Sequence, residues 1–378
     1  IGSRWNRTTA LVAALFYAVW MPVVRIERTP YLEEIGILAT LISIILILEG
    51  KYPRRALIIS GMLLGLATST KIWYAVSVVA LTLWLAQEKR IKDALVLGAT
   101  SVATFFSLTA FFIWKAGSRF FDLVLYAQIV RRATDITFAS RIEQIFNLNS
   151  VNINKTKSIS IALLIIIALA IFRFMWINRK NREGWLILLF FVLQLGVLLR
   201  TPVFFNAYPS FVAVSLAIII GAVIGSYSQK SLTALAMIAI IPIGLHSSFT
   251  QEPGRDLPNK LERQDLSKVK CVTSDSPALL ILTNTLSKNL ENKCPAVFDV
   301  AGDIYGIDGG SNPQHESSKY RQLHSPEYQR EISRYLSSGG TVILARKQID
   351  GLTTQTWQEL LRGRKVTQSH SFYIISNK

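Results

Sequence analysis

Nine runs of mostly apolar residues organise the first 250 positions, at 8–24, 33–49, 56–70, 72–87, 93–114, 158–176, 184–200, 209–226 and 231–247. A helix crossing the roughly 30 Å hydrocarbon core of a bilayer needs about 20 mostly apolar residues. The pattern therefore predicts a mainly α, polytopic transmembrane helical bundle of about nine spans. The third and fourth runs share only Lys71 as a break, so one of them is expected to be tilted or incomplete. In GMLLG, Gly61 and Gly65 stand four apart, a spacing that lets helix backbones approach closely and is read here as packing. The connection 115–157 exceeds a simple linker. Its Phe121, Val124, Leu125 and Ile129 form a stripe that predicts an amphipathic helix, either solvated or forming the wall of a substrate cavity.

Beyond His246 the pattern changes. EPGRDLPNKLERQD reads as a polar linker, and strand-like and helix-like segments then alternate: VKCVTS, PALLILTNTLSKNL, CPAVFDVAG, PEYQREISRYLSS, GGTVILARK, TWQELLRG and SFYIIS. This predicts a small α/β domain over 251–378 with a mainly parallel sheet, following a membrane domain over 1–250.

Composition agrees with that division. Of 378 residues, 51% are hydrophobic and 17% charged, and the formal net charge is +17. Residues 1–250 hold 24 basic and 10 acidic side chains, whereas 251–378 hold 17 and 14. The excess positive charge thus sits in short loops between apolar runs, which excludes nucleic acid as the expected partner and points to membrane lipids. Arg4, Arg7, Lys51, Arg54, Arg55, Lys89, Arg90, Lys92, Arg179, Lys180, Arg182 and Lys230 fall in alternate connections. Arg25, Arg28, Lys71 and Arg200 fall in the opposite short ones. By the positive-inside rule the first set is cytoplasmic, and nine spans then leave the C-terminal domain outside. The loop 115–157 adds seven basic residues to the outer side, so density per residue rather than the total carries this orientation.

The chain opens IGSRWNRTT, with neither an initiator methionine nor a signal-peptide pattern, and is expected to be part of a longer polypeptide. Its only cysteines, Cys271 and Cys294, adjoin predicted strands. A disulfide is the expectation for an outer domain, with two buried free thiols as the alternative; two cysteines without nearby histidine offer too few ligands for zinc. No phosphate-binding glycine motif is present. Asp299, Asp303 and Asp308 lack the spacing of a calcium loop and read as a strand end and turn, and His315 and His324 read as solvated.

Charges beside hydrocarbon are costly and so mark candidate sites. Three clusters fall at predicted outer ends: Arg25, Glu27, Arg28, Glu33 and Glu34; Lys71; and Arg200 with Asn206 and Tyr208. Carboxylates and cations on one rim would place an acid or a divalent-cation ligand beside a clamp for a lipid phosphate. Each has a plainer reading: the arginines and Lys71 snorkel to headgroups, and Glu33 and Glu34 favour a helix N-terminus electrostatically.

The strings RWNRTTALVAALFYAVW, YLEEIGILATLISIILILEG and RRALIISGMLLGLATSTKIWYAV resemble polytopic membrane glycosyltransferases of the GT-C class. RTPVFFNAYPSF resembles a later outer-loop segment of such enzymes, and CVTSDSPALLILTNTLSKNL with CPAVFDVAGD the tail domain of their actinobacterial members. The resemblance implies transfer of a hexosyl or pentosyl group from a polyprenyl-phosphate sugar donor to a cell-envelope glycan or lipid acceptor on the outer face. It implies donor-phosphate contact for Lys71, in GLATSTK, and for Arg200 and Tyr208. It gives Glu33 and Glu34 the task of orienting the acceptor or holding a divalent metal. The family's catalytic aspartate lies in the first outer loop and matches no residue here, so the general base is expected upstream of Ile1. Two rival readings stand beside it: a transporter or flippase of lipid-linked sugars, which needs no base, and a non-catalytic envelope scaffold.

Overall fold

The computed structural model describes residues 1–27, 32–49, 54–121, 124–125, 137–146, 148, 157–201, 204, 208–227, 266, 269–295, 297, 300, 322–344, 349, 351–369 and 372–377. These form two compact units, one within 1–227 and the other within 266–377.

The first unit is helical. Its elements are α1 (Arg7–Val19), α2 (Met21–Glu27), α3 (Glu33–Leu48), α4 (Arg54–Thr70), α5 (Ala75–Gln87), α6 (Ile91–Ala116), α7 (Ser118–Phe121), α8 (Phe138–Ile145), α9 (Lys157–Ile177), α10 (Arg182–Arg200) and α11 (Ala213–Gly225). Short 3-10 turns, Ile72–Tyr74 and Tyr208–Val212, lead into α5 and α11. Asn6 starts α1 by accepting the Thr9 N–H at 2.7 Å, and Asn181 starts α10 by accepting that of Glu183 at 3.0 Å.

Nine membrane spans are not supported. Among the described residues four helices are long and apolar enough to cross a membrane: Ile91–Ala116, Ser160–Ile177, Arg182–Arg200 and Tyr208–Gly225. The expected span 8–24 is two helices of 13 and 7 residues. The chain turns extended at Trp20 (ψ 119°), just before Pro22, which has no N–H to continue the ladder and would crowd the carbonyl four residues back. α3 and α4, at 16 and 17 residues, rise only about 24–26 Å and fall short of the hydrocarbon core. The run 231–247 lies outside the described residues, as does Ile129 of the stripe expected over 121–129 with most of the positions between.

The exposure of the long helices identifies their solvent. Only 11% of the apolar window of α9 and 17% of that of α6 is buried, against 67% for Tyr208–Gly225. Ile165, Ile166, Leu169, Phe172 and Trp176 of α9 all stand exposed, far more contiguous apolar surface than water tolerates. The four long helices thus mark a membrane protein, with Tyr208–Gly225 inside the bundle.

Small residues set the closest helix contacts. A Cβ on Gly61 would meet Leu97 O at 2.8 Å, and one on Gly65 would meet Ser101 O at 2.5 Å, so these glycines seat α4 directly on α6. Gly221 of α11 faces Thr9 O of α1 in the same way, at 2.7 Å. Gly65→Leu is expected to push α4 off α6 and to destabilise the unit by about 3 kcal/mol. Thermal unfolding of the detergent-purified protein checks this, with Gly98→Ala as the control because a Cβ there meets only Thr82 Cγ2 at 3.6 Å.

The second unit contains β1 (Val272–Ser274), α12 (Pro277–Leu282), α13 (Leu286–Glu291), α14 (Pro326–Ser338), β2 (Thr341–Leu344), α15 (Thr354–Leu361), β3 (Arg364–Ser369) and β4 (Phe372–Asn377). The sheet order is β1-β2-β4-β3. Among the described residues only β1 and β2 are parallel; β2–β4 and β4–β3 are antiparallel. The expectation of a mainly parallel sheet is therefore corrected to a mixed one. Two residues separate Ser369 from Phe372, which allows a hairpin but not the long crossover that parallel strands need. The strand expected at CPAVFDVAG lies largely outside the described residues.

Ser325 caps α14 by accepting the Tyr328 N–H at 3.2 Å, with Pro326 in the first turn. The helix then buries Tyr328, Ile332 and Leu336 against Val342, Leu344 and Ile375. Tyr335 donates its hydroxyl to Ser274 O at 3.1 Å, and burial pushes its phenol above the usual range, so it stays a donor. Asn289 serves the edge of β1 that faces away from β2 as a neighbouring strand would, accepting the Val272 N–H at 3.0 Å and donating to Val272 O at 2.6 Å. Cys271 and Cys294 form a disulfide with Cα atoms 5.8 Å apart, fixing α13 to the start of β1.

Candidate functional site

α3 and α4 pack side by side, with the end of α4 beside the start of α3. Glu33 sits in the first turn of α3, where the helix dipole favours a carboxylate, and is only 6% exposed. Thr68, Ser69 and Thr70 close the last turn of α4 by donating their hydroxyls to the carbonyls of Leu64, Leu66 and Ala67. Lys71 then leaves the helix in extended conformation (φ −155°, ψ 120°) and places its Nζ 2.5 Å from Glu33 Oε1.

Aromatic side chains hold this pair. The Tyr74 hydroxyl donates to Glu33 O at 2.9 Å. Gly36 makes room for the Tyr74 ring, because a Cβ there would sit 2.7 Å from Tyr74 Cδ2. The Lys71 ammonium lies 4.4 Å from the Trp73 ring centroid and 4.2 Å from that of Tyr208. Those two rings meet edge to face at 4.4 Å, and Phe211 packs edge-on against Tyr74 at 5.2 Å. Lysine has three N–H donors, and one serves Glu33. The other two, between two ring faces, suit an oxyanion that shares the cation with the carboxylate.

Glu33, Lys71 and Tyr208, three residues from separate apolar runs, thus meet at one end of the bundle. Glu34, half-buried, makes no ion pair among the described residues. Arg200 ends α10 exposed and likewise meets no carboxylate among them. Arg28 and Asn206, with the side chains of Arg25 and Glu27, lie outside the described residues, as do Asp299, Asp303, Asp308 and His315. Among the described residues no three His, Cys, Asp or Glu side chains come together, so Glu33 and Glu34 would form only part of a cation site.

The arginine that reaches inward near α10 is Arg141 of α8, 6% exposed. Its Nη1 donates to Leu199 O at 3.1 Å and to Thr201 O, neutralising the negative end of α10. The guanidinium lies 5.9 Å from the Phe204 ring, which is in turn 5.8 Å from Tyr208. Sequence reasoning passed over Arg141. The available signal was its spacing: Arg141 and Ile145 stand four apart on one face of α8, and both are buried.

The opposite end of the bundle is differently made. Arg4 grips Glu183 through two nitrogens, Arg182 reaches Glu88, and Arg90 pairs with Asp93 at 2.5 Å. Trp5 and Trp84 add indole N–H bonds to Asn178 Oδ1 (2.7 Å) and Arg182 O (3.2 Å). These pairs are more exposed than Glu33–Lys71 and contribute little each. Comparison of the chain with protein-family models, with curated proteins and with solved structures returns no match.

Proposed function

We propose that the protein is an integral membrane glycosyltransferase that takes a sugar from a polyprenyl-phosphate donor and gives it to a cell-envelope glycan or lipid acceptor. One observation carries this reading: the buried Glu33–Lys71 pair, roofed by Trp73 and Tyr208, at the end of a bundle whose long helices face lipid. In the reaction an acceptor hydroxyl attacks the anomeric carbon, the bond from that carbon to the phosphate oxygen breaks, and the polyprenyl phosphate leaves. The N–H groups of Lys71 that Glu33 does not take stabilise the charge that develops on the leaving phosphate, and Tyr208 holds the lysine in place. No described residue is assigned as the base that takes the acceptor proton.

The site end is outer and the Arg4–Glu183 end cytoplasmic in this reading, as the basic short loops favour. The Cys271–Cys294 disulfide supports an extracytoplasmic second unit, since disulfides persist in oxidising compartments.

A second reading, a carrier of lipid-linked sugars, draws support from the occupied carboxylate of Glu33, which is no free base. Full-length protein in liposomes with a labelled polyprenyl-phosphate sugar separates the two. Transfer or hydrolysis of the sugar supports the enzyme, and passage of label across the bilayer without product supports the carrier. Neither result would remove both.

A further inference from the structure

A cavity of ≈ 20 Å³ lies between α3, α10 and α11, beneath Tyr74 and Phe211. Its walls are mostly apolar, including Ile37, Ile44 and Phe190, but Thr40, Gln194 and Ser215 line it as well. These three are 6%, 5% and 3% exposed.

With Thr9 and Ser77, Thr40 departs from the habit of this bundle, and of the three it alone lines the cavity. Ser43, Thr68, Thr82, Thr100, Ser101 and Thr109 each donate their hydroxyl to the carbonyl four residues back, at 2.7–2.8 Å. Thr40 Oγ1, fully buried, meets no hydrogen-bond partner among the described residues. Across the cavity the Ser215 hydroxyl lies 2.8 Å from Gln194 Oε1 and 3.0 Å from Val212 O, two acceptors for its one proton, and the donors of Gln194 are those of its Nε2. A buried hydroxyl without a partner is costly, so its persistence beside a polar pair calls for a ligand.

We infer that this cavity is a binding site for one ordered water molecule, which links Thr40 Oγ1 to Gln194 Nε2 and to the Ser215 oxygen. The volume suffices for one water, and three polar groups supply the two to four partners that a buried water requires. The water ties α3, which carries Glu33, to α10 and α11, at whose adjoining ends Thr201 and Tyr208 lie. This holds whether or not the site above acts on a sugar.

Thermal unfolding of the full chain in detergent tests it, with Thr40→Val, Gln194→Met and the double variant. Thr40→Val keeps the shape and is expected to lower the midpoint by about 2–4 °C, while Thr40→Ser, which keeps the hydroxyl, stays near wild type. Because one water serves both residues, the double variant is expected to lose clearly less than the two single losses combined. An unchanged or raised midpoint for Thr40→Val would mean a dry cavity and overturn the inference. Additive losses would mean that the two residues share no ligand, and would overturn it equally.

Discussion

Replacing Lys71 with alanine is expected to be the most damaging single change at the proposed site, in stability and in activity together. The substitution leaves Glu33, whose side chain is 8% exposed, without its cation. Breaking a buried pair by removing one partner costs about 3–5 kcal/mol. Lys71 keeps 22% of its side-chain surface in solvent, which places the expected loss near the lower figure. Thermal unfolding of the detergent-purified protein reads it. The double change Glu33→Gln with Lys71→Met removes both charges and is expected to recover much of that stability, because the pair itself contributes little against a neutral replacement. Activity separates the roles: the double variant is expected to fold but, under the transferase function proposed above, to transfer no sugar for want of the ammonium. A Lys71→Ala protein as stable as wild type would show the ion pair to be incidental.

The second large effect concerns the other unit. Converting both Cys271 and Cys294 to alanine opens a loop with a sequence separation of 23 residues. For a loop of that length the chain-entropy estimate is about 3 kcal/mol. The loss should appear first around β1, whose outer edge depends on Asn289 staying in register. Hydrogen exchange over residues 272–294 is expected to accelerate at least tenfold in the variant, and wild type treated with reductant should match it. Unchanged exchange under both conditions would show that packing of Leu279 and Leu280 alone holds the segment.

Much of this was legible because burial in a membrane protein writes itself as apolar runs. The helices α6, α9 and α10 coincide with their runs to within a few residues, since each run is long and uninterrupted. The break at Trp20 was missed because the apolar pattern continues across it, and only Pro22 marks the stop. β3 was missed for the opposite reason. RKVTQS has no apolar run, and as an edge strand it needs none, with Lys365 and Val366 exposed. Glu33 and Lys71 could be picked out because charges at the ends of apolar runs are conspicuous. Their pairing could not, since it depends on which helices lie side by side. Arg200 is picked out on the same logic, whereas Arg141 lies within the long connection 115–157 and is carried inward by the buried face of α8.

Under the function proposed above, Lys71, held between Glu33, Trp73 and Tyr208, binds a lipid phosphate. The most direct test is the affinity of a short-chain polyprenyl monophosphate for the full-length protein in nanodiscs, wild type against Lys71→Met. Wild type is expected to bind saturably and the variant at least tenfold more weakly, because a charge-assisted contact contributes roughly 1.5–3 kcal/mol. Equal affinity of the two proteins, or binding by neither, would contradict it.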